Sequence, residues 1–322
     1  MIHFSQNKDG IYMKLLAIDV GGTFTKYAII TDSGCILKKY RKQTVIEPLE
    51  DLICFLESIY KEIAQSDKIE GIALSMPGFI DSEAGLMYTG GSLMCINNLN
   101  IVQILENRCH VPVTVGNDAK CAARAELWQG ALKDYSNAVV FLCGTAIGGA
   151  LIHKGQIING IHNMAGEFSY IITQADKEYG IENVMGNNTG MKNLLMFVSE
   201  ETGLDVNSLN GERVFVMANQ GNQKVINGIR RYVRNIAIQI TNCQVMFDPE
   251  IVAIGGGISV QPLLIEMIRE ELLKLNKVFP QKLPIPKITV CQFFNDANLI
   301  GAVHLHLDMK KHKKNKEENY VS

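Results

Sequence analysis

The 322-residue chain has no excess of either charge: 31 Lys and Arg against 33 Asp and Glu leave a formal net charge of −2. That balance offers no basic surplus for nucleic acid or an anionic membrane surface, so neither partner is expected. No apolar run approaches the ~18 residues of a membrane span, and no secretory leader is visible, so a cytoplasmic location is expected. None of the eight cysteines forms a C-x-x-C pair; the closest two in sequence are Cys109 and Cys121. Zinc-finger and dithiol redox chemistry are therefore not expected. Several cysteines sit in apolar runs, as in Val-Val-Phe-Leu-Cys at 139–143, and read as reduced, small core residues.

What is present is an ordinary globular composition, 47% hydrophobic and 20% charged, long enough for two domains that each bury a core. Residues 1–12 are polar and precede a second methionine, Met13; they read as a flexible extension or a misplaced start. Lys310, Lys311, Lys313, Lys314 and Lys316 make the end basic, and 310–322 reads as a solvated, disordered tail.

Two strand-like runs end in glycine-rich turns. Leu15-Leu16-Ala17-Ile18-Asp19-Val20 leads into Gly21-Gly22-Thr23, and Ala138-Val139-Val140-Phe141-Leu142-Cys143 leads into Gly144-Thr145-Ala146-Ile147-Gly148-Gly149. A further β-type segment follows each at once, so each predicts a hairpin with a glycine-rich bend, and their similar build suggests a duplicated domain. Helical spacing marks Glu50 to Gln65 and Lys224 to Phe247, the latter with a stripe of Ile229, Val233, Ile236, Ile240 and Val245, while Asn117 to Gln129 is Ala-rich and helix-favouring. A buried strand, Ile251 to Ile254, ends in Gly255-Gly256-Gly257. Strands alternating with long helices give an α/β class.

A glycine bend after a buried strand suits phosphate, because the backbone can approach the anion and turn its N–H groups inward. Asp19 adds a carboxylate suited to holding Mg²⁺ through water, with Gly21, Gly22, Thr23, Thr25 and Lys26 around it. Gly144, Thr145 and Gly148 offer a second clamp, and Gly256 and Gly257 a third turn. At a helix start, Asn117 and Asp118 read either as a cap or as an amide and a general base for phosphoryl transfer to an alcohol. Glu167, after the flexible stretch 160–165, is either a surface residue or a ligand for polyol hydroxyls.

In order along the chain, these segments resemble the motifs of the ROK family of repressors, open reading frames and kinases, in the actin-like ATPase superfamily. Asp19 to Lys26 resembles the first phosphate motif, Gly116 to Ala123 the segment whose Asp is the catalytic base, and Gly144 to Gly149 the second phosphate loop. Gly160 to Glu167 resembles the sugar-binding segment, and Gly255 to Ser259 the adenosine-side turn. The resemblance implies two actin-like, ribonuclease H-like α/β lobes around an ATP and sugar cleft. The first would span 13–115, completed by 296–309, and the second 116–295. It implies ATP and Mg²⁺ as cofactors, a sugar held by Asn117, Asp118, Glu167, Gly78 and Tyr170, phosphorylation at the C6 hydroxyl, and a homodimer.

Departures from the family pattern narrow the reading. Tyr170 stands where the zinc site takes a His, and no Cys occurs between Cys143 and Cys243, so no zinc is expected. Ala146 replaces a loop glycine. After Pro77-Gly78, the stretch Gly90-Gly91-Ser92 replaces an Asn-Leu pair; two glycines could leave room for an aglycone, and Tyr170 could stack on a second sugar ring. The pattern is most similar to the zinc-lacking branch that includes β-glucoside kinases, with a glucokinase or N-acetylhexosamine kinase as alternatives. A ROK-type repressor is disfavoured because only eighteen residues precede Asp19, and a non-catalytic sugar sensor because Asp118 and both phosphate loops are retained.

Overall fold

The computed structural model describes residues 12–174, 178 and 180–321, with side chains described to 315. The expected extension at 1–12 lies outside this range except for Tyr12. Two compact units result: the residues up to Trp128 together with those from Asp296 on, and Gln129–Asn295.

The first unit runs β1 (Lys14–Val20), β2 (Phe24–Thr31), β3 (Ile36–Gln43), α1 (Leu49–Ala64), β4 (Ile72–Met76), β5 (Ile80–Asp81), β6 (Leu86–Thr89) and β7 (Asn97–Asn100). It continues with α2 (Ile101–Cys109), β8 (Val113–Asn117) and α3 (Asp118–Gln129). The second runs β9 (Ala138–Cys143), β10 (Ile147–His153), β11 (Gln156–Ile157), α4 (Met185–Asn188), α5 (Met191–Thr202), α6 (Gly211–Asn219) and α7 (Gln223–Phe247). Then come β12 (Ile251–Gly255), α8 (Pro262–Asn276) and β13 (Lys287–Val290), before α9 (Ala297–Val321) returns to the first unit.

The expected duplication is visible in the sheets. The first has the order β3-β2-β1-β4-β8 and the second β11-β10-β9-β12-β13, each with an antiparallel hairpin on one side and parallel strands on the other. β1 is apolar on both faces because helices cover both. Leu16, Ile18 and Val20 join Leu52, Leu56 and Ile59 of α1 in one core. The alternate residues, ending in Asp19, lie on the other face, and α9 packs against β1, β4 and β8. In the second unit, Val139 and Phe141 of β9 share a core with Ile229, Tyr232, Val233 and Ile236 of α7 and Leu264 and Ile268 of α8.

Several expectations change. The first unit extends to Trp128 instead of ending at Val115, because α3 is locked to α9. A methyl on Gly301 would overlap the Cys121 carbonyl, Trp128 lies against His304 with ring centroids 4.9 Å apart, and Arg124 pairs with Asp308 at 3.4 Å. The basic segment is drawn as a continuation of α9 to Val321, for which Lys is a good helix former. Val245 is 68% exposed, because Cys243 and Gln244, three and four residues past Ile240, take the inward positions on α7. The cysteines are all free, but Cys54 is exposed and only five are buried. No helix among the described residues is long and apolar enough to cross a membrane.

Candidate active site

In the first unit the site is built on the C-terminal edges of β1, β4 and β8. Register places Asp19 of β1 beside Ser75 of β4 and Lys26 of β2, and Met76 beside Asn117 of β8. Parallel strands that end together bring their last side chains to one edge, the usual ligand edge of such sheets.

Asp19 is buried, and its Oδ1 accepts two hydrogen bonds, from Ser75 Oγ at 2.9 Å and from Asn298 Nδ2 on α9 at 2.9 Å. Burial pushes this carboxyl above the ordinary range, against the pull of Asn298, Ser75 and the Lys26 ammonium. Both donors meet one oxygen, which leaves Oδ2 for a ligand. That donor set fits a hydrated magnesium ion, which binds through one or two carboxylates and keeps its waters.

Asp118 opens α3. Its Oδ1 accepts the Ala119 N–H at 2.7 Å. Burial pushes the carboxyl up to about 6, the Ala119 N–H pulls it down, and the charge of Asp19 raises it. A carboxylate held near neutrality can take a proton at working pH and release it afterwards. Asn117 is committed largely to scaffold: Oδ1 accepts the Lys120 N–H at 3.1 Å, capping α3, and Nδ2 donates to the Gly78 carbonyl at 3.0 Å. One of its two amide N–H groups remains for a ligand. Gly78 has φ +103°, and a Cβ there would overlap the Thr89 carbonyl, so only glycine fits this turn of the backbone.

The first glycine turn is braced from beneath. Gly21 N–H donates to Phe24 O at 3.2 Å, and Thr44 Oγ1 donates to Gly21 O at 2.7 Å. Thr25, expected to offer a donor to phosphate, is instead fully buried with its hydroxyl 3.0 Å from Thr44 Oγ1. Alternation along β2 points it inward, so it supports the turn from below. Thr23 is exposed, and Gly22 and Lys26 are partly exposed. The glycines at 90 and 91 do not open space. A Cβ on Gly90 would overlap the Leu93 carbonyl, one on Gly91 would lie 3.1 Å from Gly78 N, and Leu93 and Ile96 are buried. The expected aglycone room is filled there by backbone.

The second unit carries the other expected residues. Gly144 N–H donates to Ala146 O at 3.0 Å, and Gly144 O accepts the N–H of Met191 in α5 at 3.0 Å. Thr145 and Ala146 are exposed, and Ala146 is outside the positive-φ region, so its methyl causes no backbone strain. Gly148 lies in β10 opposite Leu142. Gly256 has φ +92°, and a Cβ there would overlap the Cys143 carbonyl, which brings the turn after β12 against the end of β9. Gly257 has nothing within 4 Å of a Cβ. Glu167 precedes a short 3₁₀ turn, Phe168–Tyr170, that follows Gly166 at φ +82°, where a Cβ would lie 2.9 Å from Ala150 Cα. Tyr170 is 53% exposed. Among the described residues, no three His, Cys, Asp or Glu side chains gather as a metal cluster.

Ser75 and Asn298 escape sequence reasoning. No motif marks Asn298, which lies 279 residues from the carboxylate it touches.

These features define the class. Residues 15–309 match the model described as ROK family, and the chain belongs to that family. A beta-glucoside kinase from Klebsiella pneumoniae is 32% identical over 295 residues, covering 91% of this chain and 95% of the relative. One from Listeria innocua is 27% identical over 293 residues, covering 91% and 97%. A solved ROK family protein from Streptococcus pneumoniae, in complex with sucrose, is 31% identical with a TM-score of 0.81, covering 93% of this chain and 100% of that one. The expectation of an ATP-dependent carbohydrate kinase of α/β fold holds.

Proposed function

We propose that this chain transfers the γ-phosphoryl group of ATP to the C6 hydroxyl of a glucose-type ring, with a β-glucoside as the preferred acceptor. The observation that carries this is Asp118, a carboxyl at a helix start whose burial holds it at about 6. Its carboxylate takes the proton of the sugar hydroxyl as that oxygen bonds to the γ-phosphorus, and the bond from phosphorus to the β-phosphate oxygen breaks to release ADP. Asn117, Gly78, Glu167 and Tyr170 hold the sugar. Asp19 would hold magnesium through water, and the ion would supply neutralisation of phosphate charge. Gly21, Gly22, Thr23 and Lys26, with Gly144, Thr145, Gly148, Gly256 and Gly257, contact the nucleotide, chiefly by backbone N–H groups. In this reading the protein works in the cytoplasm as a homodimer without zinc.

The β-glucoside preference draws on two supports. The relatives at 32% and 27% identity bear that name, and the sucrose complex shows a disaccharide bound to a relative at 31%. The exposed ring of Tyr170 suits stacking on a second sugar. The test is kcat/KM for cellobiose and methyl β-glucoside beside glucose, N-acetylglucosamine and N-acetylmannosamine. The β-glucosides are expected to lead. A free monosaccharide turned over far faster than both would sink the preference and leave a glucokinase or N-acetylhexosamine kinase.

A further inference from the structure

The carboxylate of Asp19 would turn freely about its terminal torsion if nothing held it, since that torsion has broad minima. Two neutral donors prevent this, and both reach the same oxygen, at 2.9 Å each. We infer that Asn298 and Ser75 are positioning residues, which fix Asp19 so that one carboxylate oxygen is held by protein and the other is presented to magnesium-bound water. This inference rests on the proposed role of Asp19 as the magnesium holder.

The two donors sit on parts of the fold that cannot easily shift. Ser75 is fully buried and lies opposite Asp19 in the parallel pairing of β1 with β4, so the sheet itself sets its distance. Asn298 occupies the first turn of α9, three residues before Gly301. At Gly301, α9 approaches α3 so closely that no side chain fits, and Leu299, Ile300, Ala302 and Val303 are buried around it. A helix wedged this tightly holds its Asn in place, and a preformed carboxylate orientation spares the metal complex the entropy of ordering it. The same wedge fixes α3, whose first residue is Asp118. The start of α9 therefore reaches Asp19 through a hydrogen bond and packs against α3 at the Cys121 backbone.

The test is a double-mutant cycle on the full chain, with Mn²⁺ binding in the presence of ADP read by electron paramagnetic resonance. The proteins are the parent, Asn298→Leu, Asp19→Asn and the double variant, with Asn298→Ala as a second form should the leucine disturb folding. Asn298→Leu is expected to weaken Mn²⁺ binding about tenfold, the size of one lost hydrogen bond to a charged group. Affinity for the best sugar should not change, and KM for the metal–nucleotide should rise more than kcat falls. In the Asp19→Asn background the same substitution should add nothing. If Asp19→Asn loses Mn²⁺ affinity while both Asn298 variants keep it, the positioning role fails and the metal role of Asp19 stands. If Asp19→Asn also keeps it, both fail. Equal losses from Asn298→Leu in the two backgrounds would mean that Asn298 acts elsewhere, which overturns the inference.

Discussion

The two units use one sheet plan and opposite chemistry at matching positions. In the first, the residue two before the glycine turn is Asp19, flanked in register by Lys26 and Ser75. In the second it is Leu142, flanked by Gly148 and Gly255. A Cβ on Gly255 would lie 2.5 Å from Leu142 Cδ2, so the leucine fills the space that side chains fill in the first unit. The first unit's turn is backed by a charge, its hydrogen-bond donors and a nearby cation. The second is shaped by close backbone approaches, Gly256 on the Cys143 carbonyl and Gly190 on the Thr145 carbonyl. The two sheets share a scaffold, with side-chain chemistry in one and backbone geometry in the other.

That division can be broken from either side. The largest effect is expected in the first unit. Asp118→Asn keeps the shape of the side chain but cannot take a proton, so kcat should fall about 10²- to 10⁴-fold with sugar affinity largely retained. Near-parental kcat with the best sugar would reduce Asp118 to a helix cap.

In the second unit the weak point is a glycine and not a charge. Gly256→Ala combines a positive φ with overlap on Cys143, and should lose about 2–3 kcal/mol in urea unfolding together with nucleotide affinity. Gly257→Ala, with open space and no positive φ, should stay within about 1 kcal/mol of the parent. Equal losses at the two positions would remove the case for backbone packing.

A third expected effect concerns pH. Activity that needs ionised Asp118 should decline as pH falls through about 6. Stability should move the other way. The folded carboxyl sits at about 6 against 3.8 ordinarily, so between those values the folded state binds more protons than the unfolded one. Stability therefore falls as pH rises through that window, by on the order of 3 kcal/mol, and levels off above it. Thermal unfolding of the parent and Asp118→Asn at pH 4, 5, 6 and 7 should show a gap in favour of Asn that opens with pH. A constant gap would mean that Asp118 titrates normally.

Local features were legible in the sequence because they are local physics. The glycine bends, the start of α3 at Asp118 and the alternation of strands with helices need only neighbouring residues. What stayed hidden depends on residues far apart. Thr25 turns inward because Thr44 is there to meet it, and Asn298 acquires meaning only beside Asp19. The glycines at 90 and 91 suggested open space, yet a missing side chain also lets backbone close in, and only the fold tells these cases apart. The extent of the first unit depends on distant residues in the same way, since the Gly301 contact joining α3 to α9 spans the whole second unit.

The discontinuity of the first unit has a consequence during synthesis. Residues 129–295 form one unbroken stretch, whereas the first unit waits for the segment from Asp296 on. On the ribosome, the second unit can therefore finish folding while the earlier-made β1, β4 and β8 still lack the helix that covers them. That face carries Leu15, Ala17 and Ala73, all fully buried once folding is complete. A chain arrested before Asp296 would display it to chaperones and proteases, with Asp19 lacking its Asn298 donor. The order in which the parts are made thus leaves the first unit's sheet as the last surface to be covered.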